Sequence, residues 1–329
     1  MQLIEAGQII GSHEQTPADP AFAQGTAHTQ GQYRPIDEGV VPIQDMGFIH
    51  ADAAYDVVSA SAGYLFRMQE HLDRFNASCE KFHLENPYTD EETVEILTNL
   101  VKLAGLRDAY IWWAVTRGKM LGERGSMEFE NRFYAFVTPY LFIMNDEQRR
   151  NGANLIISQD YRRIPPDSVD PTAKNFHWMD MKLSVFEAAG RGGDWSVLTD
   201  GEGLLTESPG CNIFLIHDGV VKTPATDCLE GITRQTVLEL ATDLGLETVV
   251  GDVYASELES CDEAFLTSTA GAIMPASHVN GAALAPHAGP GELTTQLHNL
   301  YWERRWDGWH GEAIDYSTPV AGFELAHPA

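Results

Sequence analysis

Cysteine, basic residues and long apolar runs are all scarce in this chain, and each scarcity closes off a class of protein. The four cysteines in 329 residues, Cys79, Cys211, Cys228 and Cys261, stand far apart with no C-x-x-C pair. That argues against a disulfide framework or a cysteine zinc site and points to reduced thiols, as in a cytoplasmic protein. Lys and Arg total 21 against 48 Asp and Glu, a formal net charge of −27. Charge of that sign repels nucleic acid and anionic membrane faces, so neither is an expected partner. It also means that any phosphate must be captured by locally placed donors. No stretch of about 18 apolar residues could span a bilayer. The first residues, Met1-Gln2-Leu3-Ile4-Glu5, lack the basic and apolar regions of a signal peptide, and none is expected.

What is present is a hydrophobic content of 43%, enough for two packed domains with separate cores. The expected division is an arm over 1–30, a smaller α/β domain over 31–143, a linker over 144–151 and a larger domain over 152–329. The arm has no sustained period, and a strand-turn signal follows over 27–33. Leu72, Phe75, Cys79 and Phe82 recur at helical spacing and predict a helix over 68–84. Thr89-Asp90-Glu91-Glu92 is a capping box that opens a second helix, with Gly105 as its C-cap. Residues 108–116 and 131–137 read as strands, with Tyr110, Trp112 and Ala114 on one face and Ile111, Trp113 and Val115 on the other. The polar segment between them is a loop carrying Arg124. His50, Asp52 and Asp56 lack further ligands at metal spacing and read as hydrogen-bonding residues rather than a metal site. Residues 178–190 read as a helix with Met181, Leu183, Phe186 and Ala189 apolar. The stretches 195–200 and 211–216 read as paired strands, and a helix runs over 291–305.

Four places carry possible chemistry. Lys174 stands among Pro171, Ala173, Phe176 and Trp178, and an ammonium there is poorly solvated. Desolvation favours the neutral amine, the form that attacks a carbonyl. Glu207 precedes a strand-like run, where a carboxylate can hold a proton on a pyridine nitrogen. Gly231-Ile232-Thr233 opens a helix, and amides at a helix N-terminus favour an anion. Thr267-Ser268-Thr269, at a strand end, supplies hydroxyl donors of the kind an oxyanion needs.

In this order, the stretches GFIHADAAYDV, FRMQEHLDRFNAS, DPTAKNFHWMD, LLTESPGCNIFLI, LEGITRQTVLEL and TSTAGAIMP resemble the fold-type IV pyridoxal phosphate enzymes, the class of branched-chain and D-amino-acid aminotransferases. The resemblance runs over about 27–280 and is strongest to the (R)-selective amine transaminases. It implies an α/β fold in which an N-terminal α/β domain is joined to a larger C-terminal domain with a pseudo-barrel sheet. It further implies pyridoxal phosphate as cofactor, a homodimer, and transfer of an amino group from a small (R)-amine to a keto acid such as pyruvate.

By the same resemblance Lys174 is the Schiff-base lysine and the acid/base, and Glu207 the partner of the pyridinium nitrogen. Arg74, Ile232, Thr233, Ser268 and Thr269 would bind the phosphate, and Leu229 would pack on one ring face. Tyr55, Val57, Tyr110, Trp112, Trp178 and Ala270 would line the substrate pocket. Arg124 would pair with the keto acid carboxylate. Two departures stand out. Ser208-Pro209-Gly210-Cys211 replaces Gly-Ser-Gly-Phe or Gly-Pro-Gly-Phe, and Trp112 puts bulk where a smaller or acidic residue is common. The Arg-x-His pair of D-amino-acid aminotransferases is absent from the 131–137 strand. A branched-chain or D-amino-acid aminotransferase, an aminodeoxychorismate lyase and a non-catalytic cofactor-binding protein are the alternative readings.

Overall fold

The computed structural model describes residues 2–284 and 289–320 apart from positions 12, 14, 15 and 18. The chain divides into two compact units, each discontinuous in sequence. The first holds residues 8–141, 173–176 and the chain from Arg305 onward; the second holds the residues up to Gly7, 142–172 and 177–304.

In the first unit seven strands form one antiparallel sheet. Their order is Gly311–Ala313, Tyr64–Phe66, Ala53–Ser61, Ala109–Met120, Phe129–Pro139, Thr26–Thr29 and Gln32–Pro35. The alternation in the Ala109–Met120 strand decides its two faces. Ile111, Trp113 and Val115 are fully buried and join the core with Leu72, Phe75, Leu97 and Leu100 of the helices Met68–Lys81 and Asp90–Ala104. Tyr110, Trp112 and Ala114 share the opposite face with Tyr55 and Val57. The second helix starts at the expected capping box, with Thr89 and Glu92 each serving the other's backbone N–H. It ends at Gly105, whose φ of 63° is left-handed.

Three sequence expectations give way in this unit and the next. The strand-turn signal over 27–33 holds: the Thr26–Thr29 strand is paired on one side to Gln32–Pro35 and on the other to Phe129–Pro139. Gln30 and Gly31, both with positive φ, make the two-residue turn that closes the first pair. The strands expected at 108–116 and 131–137 continue outward to Met120 and Phe129, leaving a shorter tip. Gly118 absorbs a register shift there at φ 67°, and a side chain on it would run into the Glu130 carbonyl.

The second unit is built on an eight-stranded mixed sheet. Along it lie Thr248–Gly251, Val220–Pro224, Asn212–His217, Glu263–Ser268, Ala272–Val279, Ala153–Ile157 and Trp195–Val197, with Ala282–Ala283 paired to Ala272–Val279. Leu155, Ile213, Leu215, Leu258 and Leu266 form its core. Trp195–Val197 does not pair with the strand at 212–217, contrary to the sequence reading; it lies parallel to Ala153–Ile157. Residues 198–207 instead fold back on themselves, Leu198 N–H donating to the Glu207 carbonyl at 2.9 Å and Thr206 N–H to that of Leu198 at 3.0 Å. The helix Met179–Gly190 also turns a different face inward: Met181, Ser184 and Ala188 are buried, while Phe186 is exposed. Ser184 is accommodated because its hydroxyl bonds the Met181 carbonyl and the Ser196 hydroxyl.

All four cysteines are buried and unbridged, and burial pushes the thiols of Cys79, Cys228 and Cys261 up to about 12. Among the described residues no helix is long and apolar enough to cross a membrane.

His28 is buried among the rings of Tyr33, Tyr88 and Phe133, with centroids 5.2, 5.7 and 5.9 Å away. Burial pushes its pKa down to about 4. The unfolded chain therefore takes up a proton near pH 6.5 that the folded chain refuses, and stability falls as pH drops from about 6.5 toward 4. Between about pH 7.5 and 5, wild type should lose about 1–2 kcal/mol more than His28→Leu in urea unfolding. Equal losses in the two proteins would show that His28 does not contribute.

Candidate active site

Lys174 belongs to the first unit, carried there by the four residues 173–176. Its backbone is pinned on both sides. The Lys174 N–H donates to the Ser78 hydroxyl at 3.0 Å, and its carbonyl accepts the Tyr55 N–H at 3.1 Å. Ser78 in turn donates to the Arg74 carbonyl at 2.8 Å. The Lys174 ammonium lies over the Tyr55 ring, with Nζ 4.4 Å from its centroid.

Beside it is a carboxylate sealed from water. Asp56 is 0% exposed, and its oxygens receive Arg74 Nε at 2.8 Å, Arg74 Nη2 at 2.7 Å, the Val57 N–H at 2.7 Å and the His71 ring nitrogen Nδ1 at 2.8 Å. Burial alone would raise the Asp56 carboxyl, but the Arg74 guanidinium and His71 outweigh it and hold the group well below the usual carboxylate range. Burial pushes His71 down from its ordinary value, against the pull of Asp56, so the cluster is a carboxylate and a guanidinium beside a neutral imidazole. His71, Arg74 and Ser78 recur along one face of Met68–Lys81, which places all three against the Ala53–Ser61 strand and the lysine segment.

Glu207 lies in the second unit, 3% exposed. One carboxylate oxygen accepts Arg163 Nε at 2.7 Å and the other the Leu229 N–H at 3.1 Å. Arg163 spans two acids, since its Nη1 reaches Asp180 at 2.7 Å. Burial works against the charge on Arg163, but Glu207 and Asp180 outweigh it and raise its pKa. The Leu229 carbonyl accepts the Asn212 amide at 2.7 Å, so Leu229 is fixed at both backbone groups. Two residues on, Gly231 N-caps the helix Ile232–Asp243 and gives it no side-chain cap. A side chain at Gly231 would collide with the Asn212 amide oxygen. Thr233 is buried in that first turn. Ser268 ends its strand and accepts the Ala270 N–H at 3.3 Å. Gly210, at φ 72°, makes the tight turn of Ser208–Cys211, and a Cβ there would lie 2.9 Å from the Trp178 indole.

These residues fit the cofactor that the sequence resemblance implies. Helix amides without a side-chain cap, together with nearby hydroxyls, suit a phosphate. A buried carboxylate held in place by Arg163 and the Leu229 N–H suits a pyridinium N–H. The sequence-predicted residues thus fall into two sets. Tyr55, Val57, Arg74, Tyr110, Trp112, Arg124 and Lys174 are in the first unit; Trp178, Glu207, Leu229, Ile232, Thr233, Ser268, Thr269 and Ala270 are in the second. Arg124 is exposed at the tip of the hairpin 109–139. Sequence reasoning missed Arg163, Asp180 and His71 and gave Asp56 no partner. The one available signal was charge balance, since a glutamate placed before a buried strand requires a cation.

Removing one side of the buried Arg163–Glu207 pair strands the other. Arg163→Leu should cost about 3–5 kcal/mol in unfolding free energy, and the double variant with Glu207→Gln far less than the sum of the two singles. Additive losses would mean that the pair is not coupled.

Comparison with known proteins gives this geometry its context. Residues 53–279 match the family model described as amino-transferase class IV. A branched-chain-amino-acid aminotransferase of Pseudomonas aeruginosa is 32% identical over 78% of this chain and 83% of its own length. A D-alanine aminotransferase of Listeria monocytogenes is 30% identical over 81% of this chain and 91% of its own. Among solved structures, the T.th. branched-chain amino acid aminotransferase with pyridoxamine 5'-phosphate superposes with a TM-score of 0.81 at 26% identity, covering 89% of this chain and 99% of that one. The chain belongs to the class IV aminotransferases and is a pyridoxal-phosphate-dependent enzyme of that fold.

Proposed function

We propose that this aminotransferase takes its amino group from a small (R)-amine and passes it to a keto acid such as pyruvate. The observation that carries the reading is the face around Lys174. Tyr55, Val57, Tyr110, Trp112 and Phe176 pack there, an apolar, mostly aromatic surface suited to a substituent that bears no charge. An α-carboxylate would meet no complementary charge among those five side chains. The relatives' names favour a second reading, a branched-chain or D-amino-acid substrate.

Pyridoxal phosphate, when bound, supplies an aldehyde that receives the amino group and a ring that draws electrons from the carbon losing its proton. Lys174 would hold that aldehyde and, as an amine, would move the proton at that carbon. Glu207, paired with Arg163, would hold the proton on the ring nitrogen. Arg74, Ile232, Thr233, Ser268 and Thr269 would bind the phosphate, and Leu229 would pack against the ring. Asp56 orients the Arg74 guanidinium by gripping Nε and Nη2. Val57, Trp178 and Ala270 join the aromatic residues as substrate contacts, and Arg124 pairs with the keto acid carboxylate. The exposed apolar residues Val40, Val41, Ile43, Phe48 and Ile49 support a homodimer that covers them.

With pyruvate as acceptor, alanine formation from (R)-1-phenylethylamine should exceed that from the (S) enantiomer by roughly 100-fold. Preference for the (S) form, or for branched-chain amino acids, would overturn the reading. Arg124→Ala should slow the keto acid half-reaction by about 10-fold or more while leaving the amine half-reaction nearly unchanged. Equal slowing of both halves would assign Arg124 a structural role.

A further inference from the structure

We propose that Ser78 is a positioning residue for Lys174: its hydroxyl ties the lysine backbone to the helix that presents Arg74, and so sets the span between the amine and the guanidinium. The inference rests on the reading of Lys174 as the residue that takes the cofactor, and it adds what holds that lysine in place.

The lysine segment 173–176 belongs to no helix or strand of its own, so its position has to come from its neighbours. Part of it comes from the sheet. Ala109–Met120 pairs with one edge of Ala53–Ser61 from Ala53 to Ala60, whereas Tyr64–Phe66 covers the other edge only at Ala60 and Ser61. The edge thus left at Ala54 and Tyr55 is taken by the lysine segment. Ala54 forms an antiparallel bridge with Asn175, and the Tyr55 N–H donates to the Lys174 carbonyl at 3.1 Å.

The Lys174 N–H turns instead to a side chain. Ser78 is 1% exposed and uses its hydroxyl twice, donating to the Arg74 carbonyl one turn back at 2.8 Å and accepting the Lys174 N–H at 3.0 Å. Alanine is the better helix former at such a position, and a serine that bonds back to its own helix slightly weakens it. What alanine lacks is the acceptor for Lys174.

Two anchors therefore act on two different groups. Asp56 grips the Arg74 guanidinium through Nε and Nη2, with no part played by Ser78. Ser78 and Tyr55 hold the lysine backbone, and Nζ lies 4.4 Å from the centroid of the Tyr55 ring. A lysine amine hangs on a flexible four-carbon stem, so a shift of its backbone carries to the amine, and about 1 Å of misplacement can cost about 100-fold in rate. Loss of the Ser78 hydroxyl should slow the linking of Lys174 to the aldehyde and leave phosphate capture by Arg74 as it was.

Stopped-flow mixing of pyridoxal 5'-phosphate with the full-length protein, emptied of cofactor, reads the two effects separately. One is the limiting rate at which the visible band grows; the other is the cofactor concentration that half-saturates that rate. Ser78→Ala should lower the limiting rate by about 10-fold or more and move the half-saturating concentration by less than about 2-fold. Ser78→Cys, close in size but a weaker acceptor, should give an intermediate fall, and it decides the matter if the alanine variant does not fold. A limiting rate within about 2-fold of wild type in the folded variants, or a fall matched by an equal rise in the half-saturating concentration, overturns the proposal. Borohydride reduction of the wild-type holoenzyme with mass mapping separates the two claims. With the adduct on Lys174, an unchanged rate overturns the proposal alone; an adduct on another lysine overturns the lysine reading and the proposal together.

Discussion

A carboxylate sealed from water must have a cation against it, and both halves of this enzyme's chemistry are arranged around that requirement. Asp56 is grasped by Arg74, and Glu207 by Arg163. Burial pushes the Asp56 carboxyl toward its neutral form, and Arg74 with His71 outweighs it. Each arginine then becomes an oriented group instead of a flexible one. Arg163, shared between Glu207 and Asp180, fixes the start of the helix Met179–Gly190 together with the Ile164 N–H, which donates to Asp180 at 2.8 Å. Arg74 fixes one face of Met68–Lys81 against the strand that carries Tyr55. Through Ser78 the same helix also holds the Lys174 backbone.

In a chain of net charge −27, the proposed phosphate site needs local donors. Long-range attraction is of the wrong sign, so binding relies on hydrogen-bond donors that cannot turn away. The helix beginning at Ile232 would meet this need, since its first turn has no side-chain cap, and Gly231 allows Asn212 to approach closely enough to clamp Leu229. Backbone N–H groups and buried hydroxyls hold their geometry better than surface lysines would, because neighbouring structure has already removed their freedom.

Local features of the fold were legible in the sequence. The Thr89–Glu92 box and Gly105 state both ends of a helix, and strict alternation over 110–115 states both faces of a strand. The Lys174 and Glu207 stretches stand out in the sequence because each sets one residue type in an unusual setting. Long-range pairing was not. Nothing in Trp195–Val197 says that its neighbour is Ala153–Ile157, since a short apolar strand fits either partner. The extension of the 109–120 strand was hidden by Gly118, which reads as a loop residue and serves instead as a bulge. Phe186 misled through hydrophobicity alone, whereas Ser184 is buried because its hydroxyl donates to the Met181 carbonyl and pairs with the Ser196 hydroxyl. Arg163 and His71 escaped notice because an ion pair or hydrogen bond between distant positions leaves no local pattern.

The central claim is that Lys174 is the residue joined to the cofactor. Borohydride reduction of the yellow holoenzyme, followed by proteolysis and mass mapping, tests it most directly. A pyridoxyl phosphate adduct on the peptide containing Lys174, with the visible band lost in step, is the predicted result. An adduct on another lysine, or a band that survives reduction with no labelled peptide, would contradict it.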